Sequence, residues 1–129
     1  MRWEYKLVFA GIFAIFLIDT VGSIASRLLD FNYVYFTPAS FLVYGTVGFI
    51  GTRKKNLKKG LLLALPVASF DPLIGWQISI LLHANTGRFN NDEPSLVLWI
   101  FTVITMVIIN TFIGLIGCGI ATLLKKRAL

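Results

Sequence analysis

Residues Gly60–His83 read GLLLALPVASFDPLIGWQISILLH, and the fold class follows from this stretch. It is long enough to cross a bilayer, because about 20 apolar residues rising 1.5 Å each span the hydrocarbon core. Asp71 sits at its middle, followed by Pro72. A carboxylate at that depth costs a few kcal/mol on insertion scales, so it faces protein or water rather than lipid. Pro72 has no backbone N–H and frees the carbonyl of Ala68. An Asp-Pro pair is also what opens a helix, with Asp as N-cap and Pro at the first position. The stretch therefore predicts a membrane span kinked at Asp71-Pro72, with a polar centre at the break.

The rest of the composition agrees. Of 129 residues, 57% are hydrophobic and 14% charged, and the mean hydropathy is +0.79. So small a soluble core could not hide that much apolar surface, and a lipid bilayer must be the partner of most of it. The one cysteine, Cys118, lies in an apolar run and reads as a buried thiol, with no disulfide or cysteine cluster to form. The start, MRWEYK followed by LVFAGIFAIFLI and DTVGSIA, mimics a signal peptide. Because the apolar run resumes after Asp19, it reads as a retained first span.

Four apolar segments result, at about 7–29, 34–52, 60–83 and 96–124, within a single transmembrane domain over 1–129. All four are expected to be helices, since lipid leaves no backbone group unpaired and no strand alternation is present. The second is short enough to stand nearly upright, and the fourth must tilt or project. Basic residues fix the expected orientation. Arg2 and Lys6 precede span one, Arg53, Lys54, Lys55, Lys58 and Lys59 fill the link after span two, and Lys125, Lys126 and Arg127 follow span four. All fall on one side of a four-span arrangement, while the opposite links hold Arg88, Asp30, Asp92 and Glu93. The positive-inside rule puts both termini in the cytoplasm, most simply at a bacterial cytoplasmic membrane. Trp3 and Tyr5 mark one interface, and Tyr33, Tyr35, Phe36 and Trp99 the other. The link TRKKNLKKG reads as a topology determinant rather than a nucleic-acid patch, and the link ANTGRFNNDEPS as polar and turn-rich.

The two hairpins resemble each other. Asp19-Thr-Val-Gly22 with Ser26, Leu28 and Leu29 matches Asp71-Pro-Leu-Ile-Gly75 with Ser79, Leu81 and Leu82, allowing one inserted residue. Gly45-x-x-Gly48 runs into Arg53-Lys54-Lys55 much as Gly114-x-x-Gly117 runs into Lys125-Lys126. The architecture expected is an all-α four-helix transmembrane bundle, arranged as two tandem αα-hairpins related by an axis along the membrane normal.

Candidate chemistry lies on two polar stripes. Asp19, Ser23, Ser26, Arg27 and Asp30 recur at helical spacing on span one, and Asp71, Gly75 and Ser79, with His83 beyond, on span three. If both stripes face inward, they converge on a cleft that would hold Asp19, Arg27 and Asp71, a proton, cation or substrate site supported by Ser23, Ser26, Ser79 and His83. Two carboxylates sharing a low-dielectric region do not both ionise easily. In the plainer alternative one Asp pairs with Arg27, the other caps the half-helix after Pro72, and both only hold helices together. Gly45, Gly48, Gly114 and Gly117 read as close-packing positions. Asn110, Thr105 and Thr111 read as hydrogen-bonding across helices. His83 has no second histidine, and there is no nucleophile elbow, phosphate loop or paired-cysteine motif, so no enzyme, cofactor or metal site is expected.

Asp19-Thr-Val-Gly22-Ser23 with Arg27 resembles the first helix of the small multidrug resistance transporters. Those are four-span dimers with a membrane-embedded acid, a glycine three residues on and a basic residue eight on. The family carries glutamate where this chain has Asp19, and its later glycine-tryptophan signatures are absent. The function expected is a small transporter or channel subunit, acting as a homo-oligomer or within a larger membrane complex. The alternative is a non-catalytic accessory, assembly or immunity-type subunit that packs against partner helices.

Overall fold

Residues 2–85 and 95–128 are described by the computed structural model, and they form four helical spans, each long and apolar enough to cross a membrane. Helix α1 covers Trp3–Leu28. A 3-10 turn at Tyr33–Phe36 leads into α2, Thr37–Lys54. The third span is built from α3 (Leu57–Phe70), a π-helical turn (Asp71–Gly75) and α4 (Trp76–Leu81). The fourth is α5, Leu96–Arg127. At 32 residues, α5 is about 48 Å long at 1.5 Å per residue, well beyond the roughly 30 Å hydrocarbon thickness. The polar link after span three falls almost wholly outside the described residues.

The helix ends follow from local sequence. The Asn32 side chain accepts from the Val34 N–H at 3.0 Å and starts the 3-10 turn. The Asn56 side chain accepts from the Lys59 N–H at 2.8 Å and opens α3 after the two-residue link Lys55-Asn56. Ser95 caps α5 through the Leu98 N–H. Spans one and three finish alike. Asp30 and His83 take left-handed backbone angles, and the next amide reaches back five residues, Phe31 to Ser26 O and Ala84 to Ser79 O. Both ends thereby satisfy a carbonyl the helix would otherwise leave open.

Burial is inverted relative to a water-soluble bundle. Phe9, Phe13, Leu42, Val97, Phe101 and Phe112 are all exposed, on every outer face. Inside lie small and polar groups: Asp19, Ser23, Ser26, Ser40, Ser79 and Asn110, around a compact apolar centre of Ile15, Tyr44, Val47, Leu63, Ala64, Val67 and Ala68. Exposed apolar surface of that extent is compatible with hydrocarbon as the solvent.

Close backbone approach sets the packing of α2 on α5. A Cβ on Gly117 would fall on the Gly45 carbonyl, and one on Gly48 on the Gly114 carbonyl. A Cβ on Gly114 would come 2.9 Å from Ala64 Cβ. Gly45 itself has open space on its own Cβ side and supplies the backbone against which Gly117 rests. At the basic end, Lys59 Nζ pairs with Glu4 Oε1 at 3.1 Å, Lys54 Nζ sits 4.8 Å from the Trp3 ring centroid, and Lys125 Nζ donates to Lys55 O. The beginnings of α1 and α3 and the ends of α2 and α5 therefore share one end of the bundle.

The break expected at Asp71-Pro72 takes another form. Asp71 has helical angles, φ −58° and ψ −59°, and no side-chain cap is made at this turn. Its carbonyl accepts from the Trp76 N–H, five residues on, so the helix widens by one residue and continues. The capping role assigned to Asp71 is thus corrected, because its carboxylate is taken by another helix. The carbonyl of Ala68, freed by Pro72, is not left bare. Asn110 Nδ2 of α5 donates to it at 3.2 Å.

Candidate functional site

The two acids meet at Gly75. A Cβ there would fall on Asp19 Oδ2 and would stand 3.0 Å from Asp71 Oδ1. Only glycine leaves room for carboxyls of α1 and of the third span to approach each other at this point. The π turn absorbs the one extra residue between Asp71 and Gly75, so the second acid stands to its glycine much as Asp19 stands to Gly22.

Each outer carboxyl oxygen receives a tyrosine. The Tyr33 hydroxyl donates to Asp19 Oδ1, and the Tyr44 hydroxyl donates to Asp71 Oδ2. Tyr33 reaches its acid because Gly22, one turn beyond Asp19, lets the Tyr33 and Phe36 rings lie against α1; a Cβ there would come 3.0 Å from both. The Tyr33 amide is anchored by donating to Asn85 O at 2.7 Å. Tyr44 comes from mid-α2 and is fully buried, with its ring tilted against Phe41. A tyrosine hydroxyl in such a place must find an acceptor, and Asp71 supplies it.

The surrounding serines hold the frame. Ser26 Oγ donates to Ser23 O at 2.9 Å and accepts from the Asn85 N–H at 3.0 Å, tying the end of span one to the end of span three. Asn85 Nδ2 also donates to Asp30 Oδ1. Ser79 Oγ donates to Gly75 O at 3.2 Å, on the face where the carboxyls meet. Among the described residues, Asp19 Oδ2, Ser23 Oγ and Thr20 Oγ1 find no partner, although all three atoms are buried.

Of the residues singled out from sequence, Asp19 and Asp71 are brought together, with Ser23 and Ser79 on the same inner faces. Ser26 is a tie between helix ends. Arg27 is not brought to them. It is exposed, and among the described residues it makes no ion pair. Eight residues beyond Asp19, it lies about 12 Å along the axis and off the buried face of Gly22, Ser23 and Ser26. His83 is exposed too, in the left-handed position that ends the third span. In place of an open cleft there is a largely buried polar core: Asp19 is 1% exposed and Tyr44 0%, while Asp71 and Tyr33 are half-buried. Tyr33 and Tyr44 were not legible as site residues. The available signal was the spacing Ser40, Tyr44, Gly48, which puts the Tyr44 hydroxyl on a packing face.

No protein-family model matches the sequence, and no characterised protein or solved structure is significantly similar to it. The site must be interpreted from its own chemistry.

Proposed function

We propose that the protein is a small transporter or channel subunit of a bacterial cytoplasmic membrane, coupled to protons or cations through the Asp19–Asp71 pair. The observation that carries this reading is the juxtaposition of two carboxyls across Gly75, deep among apolar helices, each held by a tyrosine. Helices that needed only to adhere could do so with one polar contact, and a second acid adds repulsion unless it has a use. On this reading both termini are cytoplasmic. The shared end of Trp3, Glu4, Lys54, Lys55, Lys59 and Lys125 supports that arrangement. The chain is then two tandem αα-hairpins, each carrying one acid, and it works as a homo-oligomer or within a larger complex.

The rival reading is an accessory or assembly subunit whose polar core fixes helix packing. The burial of Asp19 favours it, since alternating access needs the site to open. Reconstitution separates the two. Purified protein in liposomes under an imposed membrane potential should carry a proton or monovalent-cation current that Asp71→Asn abolishes while the folded yield is kept. A wild-type current equal to that of empty liposomes, with stable co-purification of a larger membrane protein, would favour the accessory subunit.

A further inference from the structure

We infer that Asp19 and Asp71 together hold one proton, as a carboxylic acid donating to a carboxylate, and that the ligand of the pair is this proton rather than a metal ion. The inference deepens the proposed function and rests on its reading of the pair as the coupling site. Its first support is an orphan. Asp19 Oδ2 is buried with no hydrogen-bond partner among the described residues, in a side chain 1% exposed. The tyrosines do not relieve it, because Tyr33 is committed to Asp19 Oδ1 and Tyr44 to Asp71 Oδ2. What remains between the acids is Asp19 Oδ2 facing Asp71 Oδ1 across Gly75. Two ionised carboxylates offer only acceptors, so nothing could bond there and like charges would adjoin in a low dielectric. One proton supplies the missing donor and removes one charge.

Among the described residues no counter-charge competes for the pair. The titratable groups facing the pair are Tyr33 from the 3-10 turn and Tyr44 from α2, both of which donate to it. Arg27 of α1 is exposed. Helix α5 carries no titratable side chain from Leu96 to Ile116, and Lys58 and Lys59 of α3 belong to the opposite, basic end. A hard cation wants six or more oxygens. Among the described residues no three His, Cys, Asp or Glu side chains gather to hold a metal. A proton needs only the two oxygens present.

The test is infrared spectroscopy of the full chain in lipid, because a protonated carboxyl has a carbonyl stretch distinct from that of a carboxylate. Wild type at neutral pH should show one such band per chain, moved by carbon-13 labelling of aspartate and lost on alkalinisation. Asp19→Asn and Asp71→Asn should each lack it, because the new amide donates the bond the proton had made and the remaining acid ionises. The folded state then binds one proton that the unfolded chain releases. Wild-type stability should therefore fall about tenfold in the folding equilibrium per pH unit from the unfolded carboxyl range, at about pH 4, up to the pH at which the folded pair gives up its proton. Above that pH it should level off, while both Asn variants should stay flat throughout. Absence of the band in wild type overturns the inference, as does its persistence in both variants. Carboxylate bands that shift when sodium replaces potassium also overturn it, in favour of a cation. Should either variant fail to fold, the labelled wild-type band alone decides. A band without any current would leave the inference standing and remove transport. An Asp71-dependent current without the band would do the reverse.

Discussion

Asn110→Leu is the most informative single change to the packing, because its cost can be worked from one contact. Asn110 is 1% exposed, and its Nδ2 donates to the Ala68 carbonyl at 3.2 Å. That carbonyl lacks its helical donor only because residue 72 is proline. Leucine keeps the branched outline of asparagine and removes the donor, and its greater bulk adds a steric cost common to the wild-type and Pro72→Ala backgrounds. A buried acceptor left unsatisfied costs about 1–3 kcal/mol. Interhelical side-chain hydrogen bonds in bilayers average nearer 0.6 kcal/mol, with a maximum of about 1.7. The expected loss from the hydrogen bond is therefore about 1 kcal/mol, roughly fivefold in the ratio of folded to unfolded protein. No apolar gain offsets it, since lipid solvates leucine as well as a helix interface does. In a Pro72→Ala background the restored N–H can reach the Ala68 carbonyl, and Asn110→Leu should then cost about 1 kcal/mol less. Unfolding of the four proteins in mixed micelles with rising denaturing detergent gives the cycle. An equal cost in both backgrounds would refute the argument, because Asn110 would then act through something other than this carbonyl.

Gly75→Ala should lower stability even though alanine gains about 1 kcal/mol of helix propensity. Its Cβ would fall on Asp19 Oδ2, and overpacking of this kind costs about 1–3 kcal/mol. Gly119→Ala, with nothing within 4 Å of its Cβ, should cost nothing in the same melts, and equal behaviour of the two would dismiss the close approach at Gly75. Topology has its own test: cysteines at Lys58, in the basic end, and at Asn90, in the polar link outside the described residues, should react with impermeant reagents from opposite sides. Labelling of both from one side ends the four-span arrangement.

How far the sequence foretold this site depends on what each residue had to declare. Four spans were legible because a bilayer demands about 20 apolar residues per crossing, and that demand leaves a mark in any chain. Asp19 and Asp71 were legible because an acid inside such a run is costly. Their tyrosine partners were not, since tyrosine is ordinary at membrane interfaces, and Tyr33 reads there as a belt residue. Arg27 shows the opposite error: its spacing from Asp19 was near helical, yet eight residues carry it out of reach. The single insertion that made the repeat look imperfect proved the most telling feature. Asp19 and Gly22 are three apart, Asp71 and Gly75 four, so with the two glycines aligned an unmodified α-helix would set the second acid about 100° around the axis from the place Asp19 takes on its own helix. The π turn absorbs that residue within Asp71–Gly75 itself, so beyond it the two spans run in step: Gly22 with Gly75, Ser26 with Ser79, and the left-handed ends at Asp30 and His83. The widening thus lies where the second acid must turn toward the first, and Gly75, which closes it, is the residue whose missing side chain lets them touch.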